Sequence, residues 1–330
     1  MHKQAPLNRL RLSPVQYLAT FVFIQILLLS LFVAYVSAFP SQLPAPRFSS
    51  SESFNEKARW LRNAGTMSCD MLIAGSSIAL NNVDALGIKR TLGENAVLNT
   101  GSWGLTIPES AALLSILAPM CRPRIIIVAA FIGDFGPIGR KAIDWPLFAR
   151  YISGAPAAEM YLRTFDPSYY VRALLHRRQY STKKASIYES LQFDETGSVL
   201  LDCDRFEVDE ARWNGYKSSP AADRRLIGSD LDALTAIGQI AREQSAQFIF
   251  VVPPLRTVAQ SVVNETDNAK EIWREITRTV EAAGGSILSL SGSTSFDDSN
   301  FVDYAHLNAC GAKKVAASIV LAIRKVDGRQ

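Results

Sequence analysis

Met71-Leu72-Ile73-Ala74-Gly75-Ser76-Ser77 is an apolar run of strand length that stops at a glycine and two serines. Unbroken apolar runs of roughly four to eight residues suit parallel strands covered on both faces, because neither face alternates with polar side chains. The pattern is clearest in Ile125-Ile126-Ile127-Val128-Ala129-Ala130 and returns in Phe248-Ile249-Phe250-Val251-Val252, before Pro253-Pro254. Ala96-Val97-Leu98, which stops near Gly101, and Ser286-Ile287-Leu288-Ser289-Leu290 are shorter or weaker examples. Helical patterns fall between and after these runs, at Pro108 to Leu117, Leu231 to Gln244, Ala269 to Ala283 and Ala309 to Lys325. Strand and helix alternate, which predicts a doubly wound α/β sheet. Ligands of such sheets gather at the carboxyl ends of the strands. Ser77, the Gly101 to Gly104 loop, the Gly133-Asp134 loop and the segment carrying His306 are therefore expected to emerge on one side.

The N-terminal end predicts a location. Val15 to Phe39 carries no charged side chain and is long enough as a helix to cross a bilayer core of about 30 Å. Lys3, Arg9 and Arg11 precede it, whereas Pro40 to Glu52 holds only Arg47 as a basic residue. The charge bias predicts a cytoplasmic N-terminus (1–14), a transmembrane anchor (15–39) and an extracytoplasmic remainder, periplasmic in a Gram-negative cell. Pro40, Pro44, Pro46 and Ser49-Ser50-Ser51 predict a linker over 40–53. The competing reading is a cleaved signal peptide ending near Val36-Ser37-Ala38, but the apolar run exceeds the ~7–15 residues of a signal core.

From residue 54 to 330 enough chain remains for one sizeable core. Gly139 to Arg225 departs from the alternation, being rich in aromatics and turns, and reads as an insertion. It is expected to form a cap or acceptor-binding wall, or else a structural cover over the sheet. The chain is 48% hydrophobic with a formal net charge of +4, which partly reflects the basic N-terminus. No basic stripe interleaved with aromatics occurs, so nucleic acid is not an expected partner. Cys69, Cys121, Cys203 and Cys310 form no CxxC pair and no His cluster, so neither a metal nor another cofactor is expected. Cys69 and Cys121 each precede a strand-like run and would meet in a disulfide if those strands are neighbours; free buried thiols are the alternative.

Asp303-Tyr304-Ala305-His306-Leu307-Asn308 gains its meaning beside Gly75-Ser76-Ser77. An Asp three residues before a His can place carboxylate and imidazole on one side of a turn. A serine nucleophile needs a base to take its proton and an anion to fix the imidazole tautomer. Ser77, His306 and Asp303 fit those roles. Histidines occur only at positions 2, 176 and 306; His2 lies on the predicted cytoplasmic side and His176, within the insertion, has no accompanying motif. Taken singly, Gly-Ser-Ser also reads as a turn and helix cap, Asp303 as a cap and His306 as a structural histidine.

In that order and placement the motifs resemble the SGNH or GDSL-like hydrolase and O-acyltransferase superfamily, over roughly residues 70–325. The resemblance implies a flavodoxin-like three-layer α/β/α fold. Gly75-Ser76-Ser77 resembles the nucleophile block, with Ser76 where many members have Asp, as in membrane-associated and polysaccharide-modifying relatives. Asn99-Thr100-Gly101-Ser102-Trp103-Gly104 resembles the second block, so Ser77 and Gly104 are the implied backbone oxyanion donors, with Gly101 the second choice. Asp303-x-x-His306 matches the last block. The third departs: Phe131-Ile132-Gly133-Asp134-Phe135 puts Gly133 where the family has an oxyanion-binding Asn. A missing donor costs about 10²–10³ in rate. Asn81 and Asn82 are possible substitutes but suit the helix or turn after the nucleophile better.

The resemblance and the anchor together imply a membrane-anchored, extracytoplasmic serine esterase or O-acyltransferase. Its expected substrate is an acyl ester, with acetyl as the group, on a polysaccharide or cell-wall glycan. The alternative is a non-catalytic glycan-binding or assembly scaffold working with polysaccharide-assembly proteins. A bilayer lipase is a weaker third reading, because no second exposed amphipathic helix stands out.

Overall fold

The five apolar runs form β1 (Met71–Gly75), β2 (Val97–Asn99), β3 (Ile125–Ala129), β4 (Gln247–Val252) and β5 (Ser286–Ser289). In the computed structural model they make one parallel sheet in the order β2-β1-β3-β4-β5. The residues described are 13–39, 42–65, 68–136, 142–181, 190–203, 226, 228–257, 259–260, 266–326 and 328. Register places Leu72, Ile126 and Phe248 in one row and Ile73, Ile127 and Ile249 in the next. Successive side chains of a strand point to opposite faces, so the two rows feed two separate cores.

One core gathers Leu72, Ile126 and Phe250 with Phe54 and Leu61 of α2 (Glu52–Ala64) and Leu114 of α5 (Ile107–Cys121). It also takes Leu234 of α9 (Gly228–Glu243) and Ile276 of α10 (Asp267–Ala282). The other packs Ile73, Ile127 and Val251 against Ile88 of α4 (Ala85–Leu92) and Val315, Ile319 and Ile323 of α11 (Ala309–Val326). The result is the expected three-layer α/β/α arrangement, with each fully buried aliphatic side chain contributing about 1.5–3 kcal/mol. Strand order reverses at β1, so the crevice lies between the carboxyl ends of β1 and β3. Ser77 follows β1 and Phe131 follows β3.

Helix α1 (Pro14–Ala38) opens with a capping box in which Ser13 and Gln16 satisfy each other's backbone N–H groups. It is long and apolar enough to cross a membrane, and among its residues only Val36 is buried. Residues 42–51 of the expected linker lie against the domain, where Ala45 and Phe48 are buried. Asn55 Oδ1 accepts the N–H groups of Phe48 and Ser49, both at 2.9 Å.

The described parts of the insertion are α6 (Trp145–Ile152), α7 (Ala157–Arg163), α8 (Pro167–Ser181) and residues 190–203. Helix α6 covers the N-terminal segment: Phe148 lies 5.3 Å from Phe54 and Tyr151 4.9 Å from Phe48, ring centre to ring centre. Residues 196–201 instead run beside the crevice, with Thr196 accepting the Asn99 N–H at 2.7 Å and Leu201 the Ala309 N–H at 2.6 Å. Cys69 and Cys121 form a disulfide with 5.1 Å between Cα atoms. A second, Cys203–Cys310 at 5.4 Å, was not signalled by spacing. The sequence also gave no sign of the apolar face of α8, where Val171, Leu174 and Leu175 are exposed.

Candidate active site

Strand β1 ends at Gly75 with φ +142°, in contact with the Ala129 carbonyl of β3, where a Cβ has no room. The chain can therefore turn at once from strand to helix. Ser76 Oγ accepts the Ile78 N–H at 3.2 Å and caps the short helix α3 (Ser77–Asn82). Ser76 is buried in this structural role, whereas Ser77, the first helical residue, is partly open. The Ser77 N–H belongs to the first turn, where no intrahelical acceptor exists.

Opposite it, residues 301–307 close on themselves. Phe301 and Leu307 form an antiparallel bridge, and the His306 carbonyl accepts the Val302 N–H at 2.9 Å. Inside this loop Asp303 Oδ1 accepts the N–H groups of Ala305 and His306 at 2.9 and 2.7 Å. Its Oδ2 lies 2.7 Å from His306 Nδ1, and His306 Nε2 lies 2.9 Å from Ser77 Oγ. Burial by itself pushes the Asp303 carboxyl up. The opposing charge of His306 and its hydrogen bonds, with the two backbone N–H groups, outweigh that and hold it below its usual value. An ionised Asp303 only accepts, so the proton on neutral His306 belongs on Nδ1. That leaves Nε2 as the acceptor for the Ser77 hydroxyl. Ser77, His306 and Asp303 are thus brought together in one relay, whereas His176 sits on α8 facing Glu52 at 3.1 Å and takes no part.

Asn82 joins the two halves. From the end of α3 its Nδ2 donates to the Ala305 carbonyl at 2.8 Å, and its Oδ1 accepts the Leu307 N–H at 2.8 Å. Asn81 Nδ2 donates to the Val199 carbonyl at 2.7 Å. Both Nδ2 groups donate to backbone carbonyls and both side chains are fully buried, so neither is presented to the crevice as an oxyanion donor. Sequence reasoning missed the clamp itself; its one signal was a pair of amides placed directly after the nucleophile helix.

In the loop after β2, Gly101 spends its N–H on Asn99 Oδ1 at 3.0 Å, which removes it as an oxyanion donor. Ser102 donates its N–H to the Gly75 carbonyl at 3.3 Å, seating the loop on the nucleophile turn. Gly104, exposed and at φ +59°, has no N–H partner among the described residues. The third block holds Gly133 in a 3₁₀ turn (Ile132–Asp134), and the Phe131 ring fills the place a Cβ at Gly133 would take. That ring lies 6.5 Å from the Tyr304 ring of the relay loop. A side chain at position 133 would therefore meet an aromatic ring.

Lys57 braces the second block from behind. Fully buried on α2, its Nζ donates to the Asn99 carbonyl at 3.0 Å and to the Gly197 carbonyl, and lies 4.0 Å from the centre of the Phe193 ring. Burial drives its pKa well below the usual lysine value, with Asp194 opposing. Among the described residues no group of three or more His, Cys, Asp or Glu is placed to hold a metal ion.

The sequence matches no family model and no curated protein. Among solved structures, the lipase/acylhydrolase from Enterococcus faecalis is similar over 77% of this chain and 95% of its own, at 13% identity and a TM-score of 0.41. The alpha/beta hydrolase enzyme LAE5 from the metagenome of Lake Arreo, Spain, is similar over 78% of this chain and 97% of its own, at 10% identity and a TM-score of 0.38. The chemistry assigned below rests on the residues of this chain.

Proposed function

We propose that this chain is a membrane-anchored, extracytoplasmic serine esterase or O-acyltransferase. The observation that carries the reading is the continuous relay from Ser77 Oγ through His306 to Asp303, at 2.9 and 2.7 Å. In this mechanism His306 Nε2 takes the Ser77 proton as Oγ attacks an ester carbonyl, and Asp303 holds and stabilises the imidazolium. The N–H groups of Ser77 and Gly104 receive the oxyanion, and the alkoxide leaves with the proton returned by His306. Water completes hydrolysis of the acyl-enzyme; a sugar hydroxyl completes transfer. The likeness of Gly75-Ser76-Ser77 to polysaccharide-modifying relatives supports an acetylated polysaccharide or cell-wall glycan as substrate. The charge bias about α1 supports the compartment, and polysaccharide-assembly proteins are the partners this reading calls for.

One observation favours a second reading, a glycan-binding or assembly scaffold without turnover: Phe131 fills the space a side chain at Gly133 would take, and by resemblance that is the position of the third oxyanion donor. The test separates the two. Full-length protein in detergent is exposed to p-nitrophenyl acetate, quenched and weighed intact. An acetyl adduct in wild type that is absent from Ser77→Ala is the expected result. Folded wild type with neither adduct nor product release overturns the catalytic reading.

A further inference from the structure

Outside α1 and Phe39, the large apolar side chains exposed among the described residues are Leu162, Phe165, Val171, Leu174, Leu175 and, far from these, Leu321. The first five fall within one stretch: Leu162 on α7, Phe165 in the connection after it, and the other three on α8. On α8, Val171, Leu174 and Leu175 follow the i, i+3, i+4 spacing of one helical stripe. Tyr169 and Ala173, on the other side, are buried. The outward side of this helix therefore shows three large apolar side chains among exposed Arg172 and Arg178, a mixed apolar and basic surface. A concentrated patch of this kind marks a binding surface.

The same helices are bound to the exit of α1. Tyr161 on α7 packs edge-on to Phe32 of α1 at 6.5 Å and donates its hydroxyl to the Pro44 carbonyl at 2.7 Å. Arg177 on α8 donates to the Leu43 carbonyl at 2.8 Å, and Tyr169 to the Ala45 carbonyl at 3.1 Å. At 1.5 Å per residue, Phe32 lies roughly 27 Å along α1 from Pro14 and about 10 Å short of Phe39. That is near the outer boundary of an apolar bilayer core of about 30 Å. Helix α8 contains Arg172, Arg177 and Arg178 and no acidic residue, a charge that suits anionic headgroups.

We propose that the α7–α8 face is a second membrane contact, lying in the headgroup layer of an anionic bilayer beside the anchor. The inference rests on the reading of α1 as a membrane span. It holds the domain flush against the membrane, with the α7–α8 face as its underside.

All four cysteines are paired, so a single introduced cysteine takes a nitroxide label selectively. Leu28→Cys, Val171→Cys, Leu175→Cys and Leu321→Cys are made in the full chain and reconstituted in phosphatidylethanolamine–phosphatidylglycerol vesicles. Label relaxation by dissolved oxygen is compared with relaxation by a water-soluble nickel chelate. Oxygen is expected to dominate at 28, 171 and 175, and nickel at 321. Nickel dominance at 171 and 175 with oxygen dominance at 28 overturns the second contact and leaves the anchor standing. Shielding of 171 and 175 from both reagents means that protein, a second copy or another partner, covers the face, and overturns it too. Nickel dominance at 28 overturns the anchor and the inference together.

Discussion

Replacing Asn82 by alanine tests whether the relay is positioned by the clamp between α3 and the loop of Asp303 and His306. Asn82 is fully buried and makes two 2.8 Å hydrogen bonds, one to each flank of His306. Its partners are equally enclosed: Ala305 is 1% and Leu307 0% exposed. Truncation leaves one buried carbonyl and one buried N–H unpaired, each at about 1–3 kcal/mol. A water entering the vacated amide space offsets part of this, so the expected loss of unfolding free energy is about 2–4 kcal/mol. The rate suffers separately. A shift of about 1 Å in a positioned group costs on the order of 10² in rate. Urea unfolding followed by fluorescence gives the first quantity, and the rate of acetyl-adduct formation, read by intact mass well below the unfolding transition, gives the second. A folded Asn82→Ala that acylates at the wild-type rate refutes the positioning argument. Unfolding free energy within about 0.5 kcal/mol of wild type refutes the burial argument as well.

Two further outcomes follow from groups the relay does not use. Gly133→Ala forces a Cβ into the Phe131 ring and is expected to cost about 1–3 kcal/mol, most of it relieved in a Phe131→Ala background; a double-mutant cycle with no coupling removes Phe131 from the space beside Gly133. Lys57 is held deprotonated in the fold to a pH well below that of an unfolded lysine, so between those two values the unfolded chain binds more protons and stability rises with pH. Lys57→Met is expected to flatten that rise in unfolding measurements at stepped pH, and an unchanged slope assigns the dependence elsewhere.

The sheet was legible because its strands are buried on both faces, so Met71–Gly75 and Ile125–Ala129 needed no partner to be recognised. The relay was legible because Ser77 stood at the end of a strand and Asp303 and His306 stood three residues apart just ahead of the last helix. Helix α2 was not: Glu56 and Lys57 give it a solvated look, yet both are buried, the lysine amine satisfied by carbonyls distant in sequence. The Cys203–Cys310 disulfide and the approach of residues 196–201 to the crevice depend on how the insertion folds back, and periodicity carries no information about that. The role of Phe131 depends on a ring lying back over a glycine two residues later, a contact no spacing encodes.

Helix α2 also explains why the segment after α1 and the candidate oxyanion loop belong to one unit. On one side Asn55 holds the backbone of Phe48 and Ser49, and Glu56 accepts the Ala45 N–H at 3.0 Å. On the other, Ser53 Oγ accepts the Trp103 N–H at 3.3 Å and the Ser102 hydroxyl at 3.0 Å, while Lys57 holds the Asn99 carbonyl. The loop that presents Gly104 is therefore fixed by residues only a turn or two of helix away from the strap that leaves α1. Cutting the chain at residue 54 removes Ser53 and the segment that Asn55 binds, so both supports go together. Because buried polar groups that lose a partner cost more than the original bond contributed, such a trimmed domain loses its loop before it loses its sheet. The segment after α1 and the loop presenting Gly104 are coupled through the packing of a single helix. A form without α1 that keeps the loop geometry has to begin before Gln42, the first described residue of the strap to meet the domain through Arg177.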